Sequence, residues 1–169
     1  MTQNRLRYCL CLLTFLCSVL PSVALDRQPN ADYRARRLAL ARKTNGGVVI
    51  LFAANESEGP NALYGFRQDN NFYYLSGWRE PGAALVIAPE AAATDTTPAR
   101  PYTEILFLPA HNYSQEKWTG PKLGADNPQA PALTGFDQVE TLDQMHDTIS
   151  RLLPSTRAVI YTDVAEASE

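Results

Sequence analysis

Unbroken apolar runs, set apart by turn residues, give the chain its first outline. Residues 47–54 (Gly-Val-Val-Ile-Leu-Phe-Ala-Ala), 84–88, 105–108 and 157–161 are short and rich in β-branched side chains. None shows the in-out alternation of a half-solvated strand, so each reads as a strand buried on both faces. Pro89 and Pro109 close the second and third runs. Strands covered on both sides need helices on both sides, which predicts an α/β fold, a three-layer sandwich. Two stretches carry the helical period instead. Residues 30–45 open on Asn30 as a cap, place Asp32 at the positive end, and stop at Gly46 in a left-handed C′ position. Residues 141–153 open on a Thr141-Leu142-Asp143-Gln144 capping box. They align Leu142, Met145, Ile149, Leu152 and Leu153 in one stripe and end at Pro154.

The intervening segments read as loops. Tyr64, Phe66, Phe72, Tyr73, Tyr74 and Trp78 fall within fifteen residues, with Arg67, Gln68 and Asp69 between them. That mixture predicts a hairpin-like piece of core whose polar trio ties a loop, with Arg67 as the tie to a carboxylate or to backbone carbonyls. Gly77, Glu80, Pro81 and Gly82 belong to the turn that follows. Residues 90–101, rich in Ala, Thr and Pro, read as a solvated loop, and residues 111–135 as loop-rich. Trp118 stands in the latter between Glu116-Lys117 and Thr119-Gly120-Pro121, where neither strand nor helix periodicity turns the indole inward.

Residues 1–24 have the layout of a secretory leader. Arg5 and Arg7 precede an apolar stretch of thirteen residues, and Ser22-Val23-Ala24 offers a small-x-small cleavage site. Thirteen apolar residues are short for a membrane span. The leader would also take away all three cysteines, Cys9, Cys11 and Cys17, leaving a mature chain with no disulfide, which suits an oxidising exported compartment. That compartment is periplasmic or extracellular. Without Arg5 and Arg7, 13 basic residues face 18 acidic ones, a net charge of −5. No field results that would gather nucleic acid or an anionic membrane. The remaining residues, 25–169, suit one domain. Five cations between Arg34 and Lys43 form a basic face on the first helix. It is either solvated or, through Arg36 and Arg37, a domain or subunit contact.

Catalytic constellations are missing from the sequence. His111 and His146 lie in different segments and neither belongs to a His-x-x-x-His or His-Glu-x-x-His pair. Asp143, His146 and Asp147 share one side of a helix, which a solvated face explains, with His146 half-buried at the edge of the apolar stripe. No Ser stands in a Gly-x-Ser-x-Gly setting, and no Gly-x-x-x-x-Gly-Lys-Ser/Thr phosphate loop occurs. The two Asn-x-Ser triplets, at Asn55 and Asn112, are read as chance.

The order of residues adds what composition does not. Arg67-Gln68-Asp69-x-x-Phe72-x-Tyr74-Leu75-x-Gly77-x-x-Glu80-Pro81-Gly82, entering the apolar run at 83–87, resembles the N-terminal domain of the aminopeptidase P (Xaa-Pro aminopeptidase) and creatinase family. Tyr33 with Arg36-Arg37, the run 47–54, Glu104 to Pro109, Glu116-Lys117-Trp118-Thr119-Gly120 and Leu123-Gly124 follow the same resemblance. It implies a three-layer sandwich around a mixed sheet, ending before a separate "pita-bread" catalytic domain. There, two Asp, one His and two Glu hold a dinuclear centre, usually manganese; this chain itself would carry no cofactor. The implied parent removes the N-terminal residue from a peptide with proline second. The domain would wall the substrate entrance, with Trp118 as a peptide-side contact, and carry contacts of a homo-oligomer. A free-standing, non-catalytic binding or assembly module of the same fold is the alternative.

Overall fold

The structure, a computed structural model, describes residues 27–55, 66–93, 99–153 and 159–163. The expected leader, Tyr64 and residues 94–98 of the Thr/Pro-rich loop lie outside the described residues.

A five-stranded sheet organises the molecule: β1 (Val48–Phe52), β2 (Ala84–Ala88), β3 (Thr103–Leu108), β4 (Gln138–Thr141) and β5 (Ile160–Thr162), in the order β4-β3-β2-β1-β5. The three central strands run antiparallel, Ile50 opposite Val86 and Val86 opposite Ile105. The edge strands join parallel to their neighbours, β4 to β3 and β5 to β1, so the sheet is mixed. Because successive side chains alternate faces, β1 sends Val49 and Leu51 to one core and Val48 and Ile50 to another. On the first face lie α1 (Asn30–Ala41) and α2 (Asn70–Ser76), with Leu40, Ala41, Phe72 and Leu75 in the core, beside Phe136, which follows α4 (Ala130–Thr134). The second face is covered by a 3₁₀ turn, Leu142–Gln144, running into α5 (Met145–Leu152). Leu142, Met145, Ile149, Leu152 and Leu153, the five residues of the expected stripe, pack on it. The three layers are present, and the runs at 84–88 and 105–108 are fully buried strands as read from the sequence.

Five local expectations are corrected. The aromatic segment is no hairpin: Asn70–Ser76 is helical because Asp69 caps it, its carboxylate accepting the Phe72 N–H at 2.7 Å, and Gly77 ends it at φ 64°. The first helix ends at Ala41, short of 45, because the chain turns through Asn45 and Gly46, both at positive φ. Asn30 does not cap that helix. It lies inside it and reaches across to donate to the Ala132 carbonyl at 3.0 Å. The described part of the last apolar run enters the short edge strand β5, whose three residues are all exposed rather than buried. His146 likewise stands almost wholly in solvent (89 % exposed), together with Asp143 and Asp147. β4 went unread: Gln-Val-Glu-Thr offers a single inward apolar residue, Val139, at a sheet edge.

Candidate functional site

The basic face of α1 divides at Arg37. Its side chain is wholly buried, with Nε 2.8 Å from Glu104 Oε2 and Nη2 2.9 Å from Oε1, a bidentate pair between α1 and β3. The same guanidinium donates to the carbonyls of Leu75 (2.9 Å) and Gly135 (2.7 Å) and lies 4.0 Å over the Phe136 ring. Glu104 accepts further from the Tyr102 hydroxyl at 2.6 Å and faces Arg34 at 3.0 Å. Burial first, and then this bond to Glu104, push the Tyr102 hydroxyl well above its ordinary range. One knot thus joins α1, the end of α2, β3 and the end of α4. Arg36, by contrast, is at the surface, donating to the Tyr74 carbonyl at 3.0 Å and stacking 4.4 Å over the Tyr74 ring.

Among the described residues the motif loop is held by Gln68 rather than by Arg67. Gln68 Oε1 accepts from the N–H groups of Ala54 (2.8 Å) and Asp69 (2.9 Å), while Nε2 donates to the Glu80 carbonyl at 2.9 Å. A neutral amide suits this place because it must accept and donate at once, which a guanidinium cannot do. Arg67 is exposed, and its partner among the described residues is Asn70 Oδ1 at 3.4 Å. Gly77 needs its missing side chain: a Cβ there would stand 2.5 Å from the Tyr33 ring. Arg27, which no sequence pattern singled out, donates to the Gly77 carbonyl at 3.1 Å and to those of Ser76 and Thr134 at 3.3 Å each, across the ends of α2 and α4. Gly82 donates to the Ala54 carbonyl at 3.1 Å, and half-buried Pro81 borders a cavity of about 270 Å³ beside Trp78, Glu80, His111, Glu116 and Lys122. Glu80 faces Lys122 across 3.5 Å.

Trp118 sits in the last turn of a short helix, α3 (Tyr113–Thr119), where the sequence predicts a loop. Its helical setting follows from Asn112, whose side chain accepts the Gln115 N–H at 3.2 Å, and from Gly120 at the other end. The indole is 90 % exposed. Before α3, His111 places Nδ1 2.7 Å from Glu116 Oε1 and Nε2 3.2 Å from Asp126 Oδ1, with its ring stacked on Tyr113. Among the described residues, no group of three or more His, Cys, Asp or Glu is placed to hold a metal ion.

Comparison with known proteins gives the family of this domain. The family model described as "Aminopeptidase P, N-terminal domain" matches residues 33–161. Xaa-Pro aminopeptidase 3 of Homo sapiens is 35 % identical over 118 residues, 70 % of this chain and 22 % of that protein. The Xaa-Pro aminopeptidase of Escherichia coli (strain K12) is 29 % identical over 124 residues, covering 72 % of this chain and 26 % of its own. Among solved structures, E. coli aminopeptidase P with the inhibitor Pro-Leu superposes at TM-score 0.65 and 27 % identity, over 85 % of this chain and 31 % of that one. The chain therefore spans less than a third of the length of these relatives. It belongs to the aminopeptidase P N-terminal domain family.

Proposed function

We propose that this chain is the N-terminal, non-catalytic portion of an exported Xaa-Pro aminopeptidase. In this reading it walls the peptide entrance of a catalytic domain and carries contacts of a homo-oligomer. The observation that carries the reading is Trp118. A large indole held 90 % exposed at the end of a helix with no buried residue contributes nothing to the core. It offers a rigid apolar face, with few rotamers to freeze, to a proline-containing peptide. The metal-activated hydroxide, with manganese as the expected metal, belongs to the separate catalytic domain; the described residues of this chain do not fit a metal. Trp118→Ala in the full-length enzyme is expected to raise KM or lower kcat/KM for a Xaa-Pro peptide while leaving the denaturation midpoint of this chain unchanged. Unaltered kinetics would overturn the contact.

The export half of the proposal rests on Ser22-Val23-Ala24 behind an apolar stretch. N-terminal sequencing of the secreted protein is expected to begin at Leu25. A mature product that retains Cys9 would refute it.

A further inference from the structure

The helix that presents Trp118 has little of its own to hold it. α3 is seven residues long and buries none of them. A helix of that length is not stable alone, because too few propagating bonds offset its nucleation. Besides the Asn112 cap and the stacking of Tyr113 on His111, it is tied through Glu116, two residues before Trp118; the Glu116 side chain is 12 % exposed and meets His111 Nδ1 at 2.7 Å. The other ring nitrogen of His111 meets Asp126 at 3.2 Å, on the loop that returns from α3 toward α4. Both nitrogens thus face carboxylate oxygens. A neutral imidazole has one N–H and one lone pair, so it satisfies one carboxylate and turns a lone pair toward the other; only the imidazolium donates to both.

The surroundings are shaped for this ring. The Tyr113 ring stacks on it at 5.4 Å with an interplanar angle of 10°. Gly124 leaves it room: a Cβ there would stand 2.1 Å from His111 Nε2 and 2.3 Å from Asp126 Oδ1. The other charges near the cavity are Lys122 on the returning loop and Glu80 on the motif loop, and they face one another at 3.5 Å. Among the described residues lining the cavity, the cation Lys122 faces Glu80, whereas His111 faces two anions.

We propose that His111 is a positioning residue, whose doubly protonated ring clamps Glu116 to Asp126 and so sets the orientation of α3 and of Trp118 at its end. The bond to Glu116, ahead of that to Asp126, raises the affinity of the ring for its proton above that of an ordinary histidine, about pH 6.5. The sign follows: the clamp is complete at low pH and is lost as pH rises through the raised midpoint. In the enzyme, Trp118 would then be set for peptide under mildly acidic conditions. That last step rests on the reading of Trp118 as a peptide contact, whereas the clamp itself does not.

The test is a pH titration of the 169-residue chain by ¹H–¹⁵N NMR, reading the His111 ring signals and the Trp118 indole N–H, one of only two indoles in the sequence. The Trp118 indole signal is expected to shift with the same midpoint as His111, above that of an ordinary histidine. Glu116→Gln should move that midpoint down. His111→Arg, always charged, should hold the indole signal at its low-pH position throughout, and His111→Gln at its high-pH position. An indole signal that stays still while His111 titrates, or a midpoint that Glu116→Gln leaves unchanged, would overturn the clamp. Because the readout is the place of Trp118 in this chain, failure here is distinct from unaltered peptide kinetics in Trp118→Ala.

Discussion

Arg37 and Glu104 show at the level of single residues how a charged pair defines this domain. Removing two charges from water is costly, and the mutual attraction offsets that cost only when geometry is good and the remaining donors are satisfied. Here they are: the guanidinium meets both carboxylate oxygens and two carbonyls, and Glu104 takes a further bond from Tyr102. The carbonyls of Leu75 and Gly135, each near a helix end, have this guanidinium as a donor. Arg37→Ala should therefore destabilise the chain by about 3–5 kcal/mol, the usual penalty for stranding a buried charge. The double variant Arg37→Met/Glu104→Leu should recover a good part of that loss, since no charge is then left unpaired. Urea midpoints of the three proteins decide it. A single variant indistinguishable from the wild type would mean that water reaches Glu104 freely. Sequence placed Arg37 among five cations of a basic face, because period and charge say nothing of a partner 67 positions away. The residue type alone could not separate it from Arg36, its half-buried neighbour.

At the level of elements, legibility followed the strength of the local signal. β2 and β3 are continuous apolar runs closed by proline, and their places agree with the structure to within two residues. α5 was legible because five apolar residues recur at helical spacing and all five pack on one sheet face. Gln144 Oε1 accepts the Thr141 N–H at 3.2 Å, so the returning arm of the capping box is also in place. The short helices were not legible for the opposite reason. α2 has no apolar stripe of its own length; Asp69 before it and Gly77 after it make the helix, and the same two residues suit a turn. α3 consists of polar residues around Tyr113 and Trp118 with none buried, so no periodicity marked it. β4 depends on pairing with β3 from Ile105 opposite Gln138 onward, a tertiary cause invisible in Gln-Val-Glu-Thr. β5 misled in the other direction: Val159, Ile160 and Tyr161 read as buried, yet they occupy an edge and are exposed. Apolar composition states what a strand can bury, while the neighbouring elements determine what it does bury.

For the whole molecule, the two cores and the surface around α3 answer different needs. The sheet and its covering helices bury the apolar side chains in two cores, whereas α3 and its exposed indole lie outside both. What this scaffold does not offer, among the described residues, is a cluster of carboxylates and histidines that would bind a metal and activate water. His111 is occupied with Glu116 and Asp126, and His146 stands alone with Asp147 in solvent. The relatives whose names record peptidase activity are each more than three times the matched length, this chain covering 22 % of the human protein and 26 % of the E. coli one. The purified 169-residue chain is therefore expected to show no cleavage of a Xaa-Pro peptide above the blank, with or without added manganese. A protein of relative-like length that contains this domain should cleave under the same assay. The comparison must be run with a metal-chelated control, so that a contaminating peptidase is seen as activity that survives purification in both samples. Metal-stimulated turnover by the chain alone, copurifying with it through a second column, would show that the described surface carries catalytic groups after all. The pairing of His111 with Glu116 and Asp126 would then be the first place to look for them.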